Sequence, residues 1–289
     1  MLFDPAARAY PEGLNAEAAA IQPAVVCDNV GVVQGGATIK AKRKNDERYL
    51  RQLELPGMSD DAQEKLFAST VVLLGLGGVG SACAGYLAEA GIGKLVLVDP
   101  ENVYEEDLNA QLLLTEADIG RTKVEASEQR LKALNPQIEI VSHKQKFTTH
   151  NADKFIAQGD VIVDCMGNWQ DKLNASDACM HAGKILVHAG VRAFEFQVYV
   201  MIPGRSACLR CLFADTGIED VVSSGEGPQG ILGPVVGMAG AFQAVEVIKL
   251  ICGLGATPGN YLIKFDALRR YVDQVMDLGP RPGCPDCGK

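Results

Sequence analysis

Three sets of residues in this sequence have types and spacings that could do chemistry. The first is the run Gly75-Leu76-Gly77-Gly78-Val79-Gly80. Clustered glycines let backbone N–H groups approach a nucleotide phosphate with no Cβ between them, and a helix starting at such a turn aims its positive end at the anion. Asp99 follows nineteen residues after Gly80, where a carboxylate can accept hydrogen bonds from ribose hydroxyls. NAD, FAD and ATP all lie on turns of this kind. The second is Lys123, at the start of a helical stretch, where an ammonium is electrostatically misplaced unless an anion offsets it. That makes it a candidate phosphate ligand. The third is a pair of Cys-x-x-Cys units, Cys208/Cys211 and Cys284/Cys287. Four converging thiolates form the closed tetrahedral site that Zn²⁺ favours, with a structural task of pinning the C-terminal tail to the sheet. The competing reading of these pairs is thiol redox catalysis, which prefers a pair at the start of a helix following a strand, a place that neither pair has in the expected pattern.

These residues need elements to position them, and the apolar pattern supplies a set. Val71–Leu74 and Leu95–Val98 read as buried strands flanking the glycine turn and a small-residue helix, Ser81–Ala90. Helices are expected near Asp60–Ala68 with Ser59 as cap, and over Val124–Leu134 ending at Asn135-Pro136. A strand at Glu139–His143, a helix around Ala152–Ala157, the strand Val161–Val163, a helix Lys172–Ala182 and a strand Lys184–His188 continue the alternation. Ligands of open parallel sheets collect at the carboxyl ends of strands, so Asp164-Cys165-Met166-Gly167-Asn168 should face the same crevice as the glycine turn. From Glu195 the period becomes two, which predicts antiparallel strands, followed by an apolar helix Val235–Cys252 and strands at Tyr261–Phe265 and Arg270–Met276. The fold expected is α/β: a Rossmann-like, doubly wound, mostly parallel sheet extended by antiparallel strands, with a structural zinc site. His181 and His188 have no partner at triad or metal spacing and read as structural.

The chain has 289 residues, 47% of them hydrophobic, and a formal net charge of -9. The acidic balance argues against a broad nucleic-acid or anionic-membrane surface. No uninterrupted run approaches the roughly 18 apolar residues of a membrane span. The first residues carry neither a basic start nor an apolar secretion core, so a cytoplasmic location is expected. Nine cysteines exclude a fully paired disulfide scaffold; Cys27, Cys83, Cys165, Cys179 and Cys252 read as buried small apolar residues. Residues 1–45 read as an N-terminal extension, partly ordered or contacting a dimer mate or partner, and 46–289 as the nucleotide-binding domain.

Taken in order, Arg48-Tyr49-x-Arg51-Gln52, the glycine turn, Asp99, Gly120-x-x-Lys123, Asn135-Pro136, Asp164-Cys165, the two Cys-x-x-Cys pairs and Glu246-x-Ile248-Lys249 resemble the ThiF/MoeB/HesA adenylyltransferases, bacterial relatives of the ubiquitin-activating enzymes. The resemblance spans about residues 46–288. It implies an enzyme that binds ATP·Mg²⁺ and transfers AMP to a carboxylate, typically the C-terminal glycine of a ubiquitin-like sulfur-carrier protein. It further implies that Gly75, Gly77, Gly78 and Gly80 hold phosphates, with Asp99 on the ribose. Lys123 would act at the α-phosphate, with Asp107, Gln111 and Asp164 also in the site. Arg51 would reach the phosphates of the other protomer of a homodimer.

Three positions depart from the family's pattern. Where the family reads Ser-Asn-Leu-x-Arg-Gln, this chain has Glu106-Asp107-Leu108-Asn109-Ala110-Gln111, so Asp107 replaces asparagine and Ala110 replaces the arginine on the phosphates. Gly167 replaces the carboxylate expected on Mg²⁺. Asp107, Asp164 or Asp171 could supply a relocated metal ligand, and Arg121 or Arg192 a relocated cation. Ser223-Ser224 occupies roughly the region of the loop cysteine that some relatives use covalently. The leading expectation is an adenylyltransferase with divergent metal handling. The alternative is a non-catalytic relative that keeps fold, zinc and nucleotide binding and serves as a binding or regulatory partner. NAD-dependent oxidoreduction is a third reading, disfavoured because hydride transfer needs neither Lys123 nor paired cysteines.

Overall fold

A computed structural model describes residues 47–213, 230–255, 262–275 and 279–288. The expected extension 1–45, with Cys27, and the Ser223-Ser224 region lie outside the described residues. The chain enters through a short turn of helix and α1 (Leu50–Leu53), then α2 (Asp60–Ala68), where the Ser59 hydroxyl accepts the Ala62 N–H at 3.3 Å as the expected cap. There follow β1 (Thr70–Leu74), α3 (Gly78–Ala90), β2 (Lys94–Val98), α4 (Lys123–Leu134), β3 (Glu139–His143), α5 (Ala152–Ile156) and β4 (Val161–Asp164). Next come α6 (Trp169–Ala182), β5 (Ile185–Arg192), β6 (Glu195–Met201), α7 (Leu209–Phe213), α8 (Gly233–Cys252), β7 (Leu262–Asp266) and β8 (Tyr271–Val275).

The strands form one sheet in the order β3-β2-β1-β4-β5-β6-β7-β8. The first five run parallel and the last three antiparallel. The order reverses between β1 and β4, so a crevice opens at their carboxyl ends, where Leu74 pairs with both Val98 and Asp164. Near-continuous apolar runs make these strands because both faces are covered. Val71, Leu73, Leu95 and Leu97 face α3, α4 and α8, while Val72, Leu74, Val96 and Ile162 face α5, α6 and α7.

Among the elements whose ends differ from expectation, α6 and β5 show the physical cause. Helix α6 starts at Trp169, three residues before Lys172, because the Asn168 side chain caps it by accepting the Asp171 N–H at 3.1 Å. Strand β5 runs on to Arg192 because β6 pairs along its whole outer edge. Helix α8, twenty residues long with a mean hydropathy of 1.7, is long and apolar enough to cross a membrane by length and composition. Gln243, Glu246 and Lys249 break its apolar run, so it is not an uninterrupted apolar stretch. Half of it is buried, and Val235, Ala239, Ala244 and Val247 pack into the core shared with α3. Glu246 is buried with its carboxylate on Lys249 at 2.8 Å.

Candidate functional site

At the end of β1 the chain must reverse into α3 within four residues. Gly75 adopts φ +95, a left-handed conformation that an L side chain resists, and donates its N–H to the Val98 carbonyl at 2.9 Å. A Cβ on Gly80 would collide with the Gly75 carbonyl, so the turn closes only with glycine there. Gly77 caps α3 without a side chain and has nothing within 4 Å of a Cβ position. The first N–H groups of α3 have no carbonyl partner within the helix, as an anion site requires.

Asp99, at the tip of β2, is buried. Its Oδ2 accepts the Leu76 N–H of the turn at 2.8 Å and its Oδ1 the Glu101 N–H at 2.8 Å. Burial raises its carboxyl above the ordinary range, against the pull of those two N–H groups and of Lys123. Turn and carboxylate thus form one unit. Lys123 opens α4 behind the Thr122 cap and is buried, so the counter-charge expected from its place in the sequence is required. It is found within the chain: Nζ donates to Glu101 Oε2 at 2.7 Å and to Asp107 Oδ1 at 3.1 Å. Burial alone would lower its pKa; the two carboxylates hold it above the ordinary lysine value. Asp107 also accepts the Gln111 side-chain N–H at 2.5 Å and the Tyr104 N–H at 2.8 Å. A cavity of about 440 Å³ opens here, lined by Pro100, Glu101, Asn102, Tyr104, Glu106, Asp107 and Lys144.

Ala110 is buried, and its carbonyl lies 3.0 Å from where a Cβ on Gly78 would sit. Position 110 therefore borders the glycine turn. Gly167 has nothing within 4 Å of a Cβ position, at the carboxyl end of β4. Of the candidate replacements, Asp164 is fully buried and occupied: Oδ1 accepts the Met166 N–H at 3.0 Å, Oδ2 meets His188 Nδ1 at 2.7 Å, and Lys172 Nζ lies at 3.3–3.4 Å from both oxygens. Asp171 lies 3.6 Å from Lys146, Arg121 is paired with Asp118 at 2.5 Å, and Arg192 is exposed at the end of β5. A protein-held Mg²⁺ at Gly167 does not fit these residues. Arg51 is exposed on α1 and makes no ion pair among the described residues.

His188, expected to be structural for want of a partner at triad or metal spacing, is buried and has a partner across the sheet. Residues 164 and 188 are distant in sequence but directly paired across β4 and β5, which no local spacing reveals. Burial would raise the Asp164 carboxyl, yet Lys172 and His188 hold it below the ordinary range; burial holds His188 below the ordinary histidine value. Both shifts leave the folded protein with fewer bound protons than the unfolded chain in acid. The stability they confer is complete above about pH 6.5 and is lost as pH falls, first through the His188 range and then below the ordinary carboxylate value of 3.8. Thermal melts between pH 7 and 5 should show falling stability, and His188→Gln should flatten that slope. Lys172→Met, which strips a buried carboxylate of its cation, should cost about 3–5 kcal/mol in denaturant unfolding; a loss below about 1 kcal/mol would contradict the pairing. His181 likewise has a partner, Asp286, at 3.2 Å.

The Arg48-Tyr49 motif in the helical turn just before α1 is a staple. The Asn135 side chain donates to the Tyr49 hydroxyl and to the Ala88 carbonyl, both at 2.8 Å, and Arg48 donates to the Leu134 carbonyl at 2.9 Å. On the other face of the sheet, the sulfurs of Cys208, Cys211, Cys284 and Cys287 lie within 4.8 Å of one another. Cys208–Cys284 measures 3.8 Å and Cys211–Cys287 3.5 Å. Metal–sulfur bonds of about 2.3 Å in a tetrahedron place sulfurs about 3.8 Å apart, so this cluster could hold a metal ion. Cys208 and Cys211 do sit at the start of a helix, α7, contrary to the sequence reading; convergence of all four thiols favours a metal over a redox pair.

The ThiF family model matches residues 49–286. Over 253 residues the chain is 38% identical to adenylyltransferase and sulfurtransferase MOCS3 of Sus scrofa, covering 86% of this chain and 55% of that protein. The chain thus spans about half the length of the MOCS3 relatives it matches. It is 37% identical over 242 residues to the sulfur carrier protein ThiS adenylyltransferase of Escherichia coli (strain K12), covering 83% of this chain and 94% of that protein. A crystal structure of E. coli MccB with ATP superposes with a TM-score of 0.74 at 26% identity, over 84% of this chain and 75% of that one.

Proposed function

Because this chain belongs to the ThiF family, we propose that it is an ATP-dependent adenylyltransferase that activates a carboxylate, the C-terminal glycine of a ubiquitin-like sulfur-carrier protein being the substrate class its relatives favour. The observation that carries this reading is the unit made by the open N-terminus of α3, Asp99 bonded to the turn, and Lys123 beside it.

The chemistry asks little of side chains as nucleophiles. A carboxylate oxygen attacks the α-phosphorus of ATP, the bond to the β-phosphate oxygen breaks, and pyrophosphate leaves with the electron pair. Negative charge grows on the phosphate oxygens in the transition state, where aimed N–H groups and cations stabilise it. In this chain the α3 N–H groups would hold the phosphates, Asp99 a ribose hydroxyl, and Lys123 the α-phosphate, drawn from its two carboxylates. Magnesium would arrive on the triphosphate, because position 167 has no carboxylate and the neighbouring Asp164 is already held by Lys172 and His188.

Arg51, exposed and without an ion pair among the described residues, supports a role across a homodimer. The face of α3 and α8 that leaves Tyr86, Met238 and Val245 about half exposed supports a second copy as its cover. Zinc is the metal proposed for the four thiols, none of which is in a disulfide.

A second reading, a non-catalytic partner that retains nucleotide binding, is favoured by Ala110, by Gly167 and by the engagement of Lys123. ATP–pyrophosphate exchange tests the choice, run with and without carriers ending in Gly-Gly. Carrier-dependent exchange is the expected result. ATP binding without exchange under any carrier favours the second reading.

A further inference from the structure

Helix α8 carries three polar side chains in an otherwise apolar run, and two of them, Glu246 and Lys249, satisfy each other. The third, Gln243, is fully buried, which costs free energy unless its amide is hydrogen-bonded. Both amide atoms are bonded, and at one place. Nε2 donates to the carbonyls of Asp164 and Val187, each at 2.9 Å, and Oε1 accepts the Cys165 thiol at 3.2 Å. Asp164 and Cys165 stand at the carboxyl end of β4, where the strand order reverses. Cys165 in turn meets the glycine turn from below. Its N–H donates to the Leu74 carbonyl at 2.8 Å, its own carbonyl lies 2.8 Å from where a Cβ on Gly75 would sit, and its Cβ lies 3.3 Å from where one on Gly80 would sit. On the same face of α8, Val236 fills the space that a Cβ on Gly78 would need, and Gly240 lies against the Val79 carbonyl with no room for a Cβ of its own. One stripe of α8 therefore touches the turn at Gly78 and Val79 and holds the floor beneath Gly75 and Gly80.

We propose that Gln243 is a positioning residue for nucleotide binding: from inside α8 it fixes Cys165, and through Cys165 the path of the glycine turn and the aim of the α3 N–H groups at phosphate. This rests on the nucleotide-binding reading of that turn. Gln243 touches no substrate; its effect is to keep the donors in place before ATP arrives, so that no binding energy is spent on ordering them. A glutamine that only filled the core would affect how much protein is folded and leave the affinity of the folded protein unchanged.

The test is calorimetric binding of ATP with Mg²⁺ to the full chain, for the native protein, Gln243→Met, Gln243→Glu and Val247→Ala, at a temperature where melting curves show each protein folded. Val247 is equally buried one turn further along α8 and serves as a control for general loosening of the core. Gln243→Met keeps the length and removes both donors; it should weaken ATP at least about tenfold, as misplacement of aimed groups by about 1 Å costs up to about 10²-fold. Gln243→Glu, which keeps the acceptor for Cys165, should move ATP in the same direction by a smaller factor. Val247→Ala should lower the melting temperature and leave ATP affinity within about threefold. A folded Gln243→Met protein that binds ATP within about threefold of the native chain, or a Val247→Ala protein weakened as much as Gln243→Met, would overturn the assignment of Gln243. If Gln243→Met does not fold, the glutamate variant decides by the same threefold limit. A native chain that binds no ATP would instead overturn the nucleotide reading itself.

Discussion

Restoring arginine at position 110 and aspartate at position 167 together should raise ATP–pyrophosphate exchange by at least about 10³-fold over the native chain. Each substitution returns a charge at a point where adenylation develops it. Loss of one aimed donor from such a site costs about 10²–10³ in rate, and an arginine on a transferring phosphoryl group is worth about 10³–10⁵. The structure has room for the aspartate: a Cβ on Gly167 meets nothing within 4 Å, and the residue is not in the left-handed region. Arginine at 110 starts from a buried position beside the glycine turn, so its side chain must leave along the turn toward the crevice. Lys123 alone is a poor substitute, because it stays shared between Glu101 and Asp107. A folded, ATP-binding Ala110→Arg/Gly167→Asp protein no faster than the native chain would show that these two positions do not limit the reaction.

The second large effect concerns the four thiols. The purified chain should carry one zinc, and Cys208→Ser should release it and lower the unfolding free energy by at least about 5 kcal/mol. Structural zinc contributes about 10–16 kcal/mol to small zinc-folded units at neutral pH, much of which vanishes with one ligand. At about 2–4 °C per kcal/mol for a chain of this order of size, the melting temperature should fall by at least about 10 °C. The reason lies in topology. Cys208 and Cys211 flank the start of α7, while Cys284 and Cys287 belong to the last described turns of the chain, 76 residues away. Together with the His181–Asp286 pair, the cluster ties that tail to the fold. Metal analysis and melting curves check both statements; a folded native protein free of zinc would contradict them.

Much of this was legible in sequence because it rests on short-range rules. Val71–Leu74, the glycine turn and Leu95–Val98 announce a strand–turn–helix–strand unit through apolar runs and glycine spacing, and the sheet carries it as expected. The antiparallel extension showed in the period of two from Glu195. Lys123 was marked by its misplaced charge, yet the anion that offsets it was hidden: Glu101 and Asp107 lie 22 and 16 residues away, and only the loop between β2 and α4 brings them together. His188 was hidden for the same reason, since its partner Asp164 is reached across two strands and not along a helix. The signal available in sequence was Asp107 standing where the family has asparagine, a charge change beside a lysine expected on phosphate.

The central claim, transfer of AMP to a carboxylate at the Gly75–Gly80 turn with Lys123 on the phosphate, is met most directly by ATP–pyrophosphate exchange of the native chain beside its Lys123→Ala variant. Both are supplied with saturating carrier ending in Gly-Gly. Carrier-dependent exchange in the native chain, lost by about 10²-fold or more in the variant, is what the site predicts. Exchange that survives Lys123→Ala undiminished, or native protein that binds ATP and exchanges nothing with any carrier, would contradict it.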